Sequence, residues 1–321
     1  NLHGGWAAGA DSLMGLTEAG GLSRVILLSD GNANEGVTDL AEIVAACAKA
    51  AAAGVTTSTY GLGHQFQEGL MTALARAGQG RAYYGEQASD LMDPFMEEFD
   101  LLSNLFARRL VLALQVPPGV QVTQLNTYSS PAPGAWELPE LGYAAEAWAV
   151  FRLEGDPAGL AAWAQEGALA LAHVALTYVD LKGRPGSVPA QPLALPLLGA
   201  EAFAGLPADP LVRRRVGELR AADLQERAYR ACLEGDWDQV HRLLDELREL
   251  AKENPWTEAT LKELEALAER READGFAKET FYQSYSSSGR LADKDEDIIL
   301  FQTSSNTYTR RKRRQGKGEE E

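Results

Sequence analysis

Cysteine is scarce: Cys47 and Cys232 are the only two in 321 residues. They fall in separate helical patterns, so they read as small buried residues rather than as a disulfide framework. Histidine is nearly as rare, with four in the chain, His3, His64, His173 and His241. None has a cysteine or a second histidine at zinc-ligand spacing. Positive charge is outweighed, 30 Lys and Arg against 46 Asp and Glu, for a formal net charge of −16. That balance argues against nucleic acid as a partner. No run approaches the roughly 20 apolar residues of a membrane span. There is no Gly-x-x-x-x-Gly-Lys phosphate loop and no Gly-x-Ser-x-Gly nucleophile elbow. Gly61-Leu62-Gly63 lacks the third glycine of a dinucleotide fingerprint, since Gln65 and Phe66 follow. No catalytic constellation emerges, and the sequence reads as that of a non-enzyme.

What is present is an ordinary globular composition, 45% hydrophobic and 24% charged, with length enough for two or three cores. The most informative stretch is Arg24 to Gly36. Val25 to Leu28 is a fully apolar, β-branched-rich run, the pattern of a strand covered on both faces of a parallel sheet. It stops at Ser29-Asp30-Gly31-Asn32, all turn formers. A carboxylate therefore stands at the carboxyl end of a strand, where open α/β sheets place their ligand sites.

The surrounding pattern is strand, helix, strand, helix. Gly5 to Glu18 reads as a helix stopped by Gly20-Gly21, and Leu40 to Ala53 as a second, with Thr38 as its N-cap. Val55 to Tyr60 is the next strand, Gln67 to Ala77 a helix, Arg81 to Tyr84 a strand and Ser89 to Phe106 a long helix. This order predicts a doubly wound, mostly parallel α/β sheet with right-handed crossovers over residues 1–106.

From Arg108 the pattern changes. Leu110 to Val116, Val120 to Leu125, Ala144 to Leu153, Ala168 to Val179 and Val188 to Leu198 alternate between Pro and Gly turns, predicting a β-sandwich over 107–200. Leu211 to Leu233, Trp237 to Ala251 and Thr257 to Ala273 predict an α-helical C-terminal bundle over 201–289. A last helix, Phe276 to Gly289, carries Phe281, Tyr282 and Tyr285 as aromatic anchors. Ala-Tyr-x-x-Cys-x-x-Gly-Asp-Trp is similar to half of a tetratricopeptide hairpin, one unit and not an array. Residues 290–321 are polar and expected to be loosely ordered. Asp293 to Asp297 opens like a calcium loop, but Ile298 stands where that loop needs Gly. Arg310 to Arg314 is a basic cluster with Glu319 to Glu321 close behind.

The apolar strand followed by Ser-Asp-Gly-x-x-Asn resembles the third metal-binding segment of von Willebrand factor type A domains. Asn1-Leu2-His3-Gly4-Gly5 is similar to the segment just after the metal-binding threonine of that family. The resemblance implies a metal-ion-dependent adhesion site in which Asp30 binds Mg²⁺ (or Mn²⁺ or Ca²⁺), directly or through a water, with His3, Asn32 and Asn34 on the partner-binding rim. A carboxylate offered by a partner protein would complete the coordination. Alternatively, the chain is a regulatory or assembly subunit working beside a partner ATPase in a chelatase-like system. Asp-x-Ser-x-Ser, the family's first metal-binding segment, is absent from the sequence. The expectation is a type A domain lacking its N-terminal part, in which metal binds weakly or not at all.

Overall fold

The computed structural model describes residues 1–14, 23–63, 66–143, 145–156, 160, 164–165, 168–252, 255–288 and 291–293. Three parallel strands, β1 (Ser23–Ser29), β2 (Val55–Leu62) and β3 (Gln79–Gly85), form a sheet in the order β1-β2-β3. One face carries Val25, Leu27, Val55, Thr57 and Thr59. It is covered by α1 (Leu2–Met14), α2 (Leu40–Ala52) and α3 (Glu68–Ala77), which contribute Trp6, Ala10, Ile43, Cys47, Ala50, Leu70 and Leu74 to one core. Two polar contacts register these helices: Trp6 Nε1 donates to Thr57 Oγ1 at 3.0 Å, and Thr59 Oγ1 to the Met71 carbonyl at 2.9 Å. The N-cap of α2 is Asp39, whose carboxylate accepts from the Glu42 amide at 2.9 Å, and not Thr38. The carboxylate one position later reaches the orphan donor directly.

The opposite face carries Arg24, Ile26, Leu28, Thr56, Ser58 and Tyr60. Over β2 and β3 it is covered by a 3-10 turn, Ala88–Leu91, and by α4 (Met92–Ser103). The expected helix to Phe106 ends three residues early because Leu105 and Phe106 open the next strand. Unusually, α4 turns a carboxylate inward. Glu98 is fully buried and accepts from Arg24 (2.5 Å), Ser58 Oγ (2.5 Å) and Tyr83 OH (2.7 Å), one donor from each strand. The other arm of the Arg24 guanidinium pairs with Glu140. Burial opposes ionisation of Glu98, but Arg24, Ser58, Arg81 and Tyr83 more than offset it and hold its carboxyl below the usual range. Burial likewise opposes charge on Arg24, and the Glu140 and Glu98 carboxylates reverse that, raising its pKa.

β4 (Leu105–Gln115) then runs through the middle of an antiparallel sheet. It pairs with β6 (Ala135–Leu138), β7 (Leu141–Gly142) and β11 (Ala168–Asp180), and β11 pairs in turn with β10 (Ala164–Gln165) and β12 (Pro185–Pro196). A two-stranded ribbon, β5 (Val120–Gln124) with β9 (Phe151–Gly155), sets Val122, Phe151 and Leu153 against Leu114, Trp136 and Ala172 of the sheet. The expected Ala144 to Leu153 strand is two strands: β8 (Ala145–Ala147) separates from β9 and pairs with β13 (Leu291–Asp293). Residues 291–293 are thus ordered into a strand.

A short helix α5 (Ala200–Ala204) leads to α6 (Pro210–Leu233), α7 (Trp237–Ala251), α8 (Pro255–Arg270) and α9 (Ala273–Ser288). Pro210 at the first helical position and the Asp209 side chain, accepting from Leu211 and Val212, start α6. The helices share a core of Leu224, Ala228, Val240, Leu243, Leu247, Leu264 and Phe276. α9 does more than close this bundle. Tyr282 packs with Phe66, Met71, Ala75 and Ala82 of the α/β part. Ser288 meets Asn126 and Thr127 of the antiparallel part at 3.2 and 2.9 Å. The helical region is therefore bonded to both of the other parts. Gly20, Gly21, His64, the rest of the Asp293 to Asp297 motif and Arg310 to Arg314 lie outside the described residues.

Candidate functional site

The three parallel strands end together. Register places Ser29 beside Gly61 and Gly61 beside Tyr84, so the turns after β1, β2 and β3 line one edge. The turn after β1 is built locally. Ser29 Oγ donates to the Gly31 carbonyl at 3.0 Å and stands 3.4 Å from the Gly31 amide, a hydroxyl-closed turn that releases the chain from the sheet. Asp30 follows at the tip, exposed, with no hydrogen bond or ion pair among the described residues. Asn32 and Asn34 are also exposed, while Ala33 and Val37 turn inward onto the core beneath α1 and α2. This alternation pins the loop at two points and leaves its polar side chains outward.

The start of α1 closes the same edge. The Gly4 amide donates to Asn1 Oδ1 at 2.8 Å, an N-cap. Asn1 lies over Gly36, whose φ of +76° favours glycine, and a Cβ there would stand 2.6 Å from the Asn1 amide group. The Asn1-to-Gly5 and Ser29-to-Gly36 segments, far apart in sequence, thus meet. His3 is half-buried one turn along, its ring 5.9 Å from that of Trp6.

The rim after β2 is held from the bundle. Phe66 covers Gly61 so closely that a Cβ on Gly61 would fall 2.2 Å from the ring. The Gly63 amide donates to the Gly85 carbonyl at 2.9 Å, joining the second and third turns. Lys278 of α9 donates to the Phe66 carbonyl at 3.3 Å and to Glu68 at 2.5 Å, with its ammonium 4.2 Å above the Phe66 ring. Tyr84 stacks on Tyr282 at 5.3 Å. Burial drives both phenols upward. Phe281, Tyr282 and Tyr285 are visible in the sequence as aromatic anchors. Lys278 carries no sequence signal of its own: it is one lysine in a polar helix.

The donor set decides what this edge can hold. Hard divalent cations take about six oxygens, usually one or two carboxylates completed by hydroxyls and waters. Among the described residues no three His, Cys, Asp or Glu side chains converge, and Asp30 stands alone. The residues described do not by themselves make a site that fits such an ion.

No family model matches the chain. Among solved structures it is similar to a von Willebrand factor type A protein from Catenulispora acidiphila, at 19% identity and a TM-score of 0.59, covering 82% of this chain and 62% of that one. It is also similar to the human COPII-coat protein Sec24c, at 12% identity and a TM-score of 0.51, covering 94% of this chain and 44% of that one. A curated relative, the uncharacterized protein YfbK of Escherichia coli strain K12, is 35% identical over 72 residues, 22% of this chain. The chain spans 12% of that relative's length and under two thirds of either matched structure. These likenesses establish the fold.

Proposed function

From a von Willebrand factor type A-like fold whose first strand ends in Ser29-Asp30-Gly31, we propose that this chain is a non-enzymatic protein-interaction module that docks partners on the carboxyl edge of its parallel sheet. The observation that carries the reading is the exposed Asp30 carboxylate at the strand end, unengaged among the described residues and framed by the capped start of α1. A carboxylate that closed a turn or capped a helix would be bonded to a backbone amide, as Asp39 and Asp209 are in this chain. Asp30 is not, so it is available to a ligand. His3, Asn32 and Asn34 would form the partner-binding rim around it.

Asp30 is the residue that would hold a Mg²⁺, Mn²⁺ or Ca²⁺ ion. Asp30 being the one carboxylate there among the described residues, that binding would be weak, and a carboxylate of the partner would strengthen it. Paramagnetic broadening by Mn²⁺ in amide-correlation spectra tests the assignment. Signals of Gly31, Asn32 and His3 should broaden at millimolar Mn²⁺ in the native chain and stay sharp in Asp30→Ala. Equal broadening in both proteins, or none at this edge, overturns the assignment of Asp30.

A further inference from the structure

Aspartate is followed by glycine at two places in the chain, Asp30-Gly31 and Asp274-Gly275. This pair of residues carries a reaction of its own. The glycine backbone nitrogen can attack the aspartate Cγ, because the bond closes a five-membered ring and glycine has no Cβ to crowd the approach. Ring closure needs a ψ at the aspartate that neither an α-helix nor a β-strand supplies. The fold separates the two copies on this criterion. Asp274 lies in the first turn of α9, where helical bonds hold the backbone, among them that from the Phe276 amide to the Glu272 carbonyl at 2.9 Å. Asp30 lies one residue beyond β1, in the loop that joins β1 to α2. Its carboxylate is exposed and bonded to nothing among the described residues. The Gly31 nitrogen is held as loosely. Its contact with Ser29 Oγ is 3.4 Å, longer than an ordinary N–H···O bond. A Cβ built on Gly31 would meet nothing within 4 Å, so the ring has room to form.

We propose that Asp30-Gly31 is a site of spontaneous covalent modification in the folded protein, passing through a cyclic imide to isoaspartate, and that Asp274-Gly275 is not. In the first step the Gly31 nitrogen forms a bond to Asp30 Cγ. The bond from Cγ to the carboxyl hydroxyl breaks, and that hydroxyl leaves with the amide hydrogen as water. In the second step water adds to one of the two ring carbonyls. Breaking the bond between the nitrogen and Cγ returns aspartate. Breaking the bond between the nitrogen and the Asp30 carbonyl carbon sends the main chain through Cβ and Cγ, and the former backbone carbonyl becomes a free carboxylate on Cα. Water is the one co-reactant, and nothing is oxidised or reduced. The product keeps its charge but adds a carbon to the main chain between β1 and the points where Ala33 and Val37 pin the loop to the core. The reaction does not depend on the reading of Asp30 as a ligand; its consequence, a carboxylate drawn one bond back from the docking edge, rests on that reading.

Incubation in water enriched in heavy oxygen tests the proposal, because each opening of the imide writes one solvent oxygen into the residue. The chain is held at neutral pH below its unfolding transition and then digested, and fragment masses place the label. Residue 30 should take up label at least about tenfold faster than residue 274, since a helix admits ring closure only when it opens locally. The isolated peptides 27–34 and 271–278 should label at similar rates, the dipeptide being the same and the fold gone. Gly31→Ala should slow labelling at residue 30 of the folded chain about tenfold, because its methyl group crowds the attacking nitrogen. Equal labelling of residues 30 and 274 in the folded chain overturns the proposal. So does a ratio between the two peptides as large as that in the folded chain, which would take the fold out of the selection. Labelling at residue 30 no faster than at Asp39, which precedes a leucine and is bonded to the Glu42 amide, overturns it as well. The experiment uses no metal ion and no partner, so its failure is separate from failure of the assignment of Asp30.

Discussion

Lys278 and Glu68 are 210 residues apart in sequence and 2.5 Å apart in the fold. The lysine side chain is almost wholly buried, and its ammonium also bonds the Phe66 carbonyl. One ion pair therefore fastens the last described helix to the segment that leaves β2. Lys278→Met should remove that tie and leave Glu68 without its cation. Breaking a buried pair costs about 3–5 kcal/mol, and because Glu68 keeps some contact with water the expected loss is about 2–3 kcal/mol. Chemical denaturation followed by tryptophan fluorescence and by circular dichroism measures it. Both probes should shift together, because Trp6 and Trp237 lie in parts that α9 joins. Separate transitions for the two probes would show that the parts unfold independently.

That tie marks the limit of what the sequence discloses. Trp237 to Ala251 reads as a helix with those boundaries and is one, because a Gly-Asp turn starts it and Val240, Leu243, Leu244 and Leu247 repeat at helical spacing. Val25 to Leu28 reads as a buried strand and lies inside β1, although its even-numbered face is open. Periodicity shows which face of α9 is apolar without showing that the α/β part is what it meets. Leu105 and Phe106 extend the apolar pattern of α4 and belong to β4, since a helix register and a strand both accept them until pairing with β7 decides. At the candidate site, the position of Asp30 just past the strand end is legible from the turn formers that follow Val25 to Leu28. The packing of Asn1 against Gly36 is not, because no local rule brings residues 35 positions apart together.

Glu98 gives a pH test. Its carboxyl is held below the usual range, so the native state favours its ionised form. The stability this contributes is fully present above the unfolded-state value, near 4.3, and is lost as pH falls through the lower native value. Glu98→Gln keeps most of the shape and leaves Arg24 with Glu140 as its remaining carboxylate. The variant should lose about 2–4 kcal/mol at pH 7. The gap between native protein and variant should narrow as urea titrations move from pH 5 towards pH 3. A gap that stays constant over that range would mean the carboxylate is not ionised in the fold.

Gly61 tests the rim. A methyl group there would meet the Phe66 ring at 2.2 Å, and Phe66 is fixed beneath Lys278 and beside Tyr84. The ring cannot yield without loosening these contacts, so Gly61→Ala should cost about 1–3 kcal/mol, the range for overpacked cores. Gly61→Ala combined with Phe66→Leu should recover part of that loss. A smaller effect in the double variant than in the sum of the singles would show that the ring is what the methyl displaces.

Arg109 is the sharpest case of a residue placed against its own backbone preference. It sits at φ 51° in β4, next to an irregularity in the pairing with β11. From there its guanidinium donates to the carbonyls of Ala51 at 2.9 Å and Ala52 at 2.8 Å, the end of α2. A cation is favoured at that terminus because the last carbonyls carry partial negative charge. Arg109→Ala loses the two charged hydrogen bonds and keeps the left-handed backbone, for an expected cost of about 2 kcal/mol. Arg109→Gly loses the same bonds but relieves a left-handed conformation that costs an ordinary residue about 1 kcal/mol. Glycine should therefore be the less damaging replacement, contrary to its usual rank in a strand. Urea midpoints for the two variants decide this. If alanine proves the milder change, the backbone at 109 is not strained, and the bonds to α2 do not depend on it.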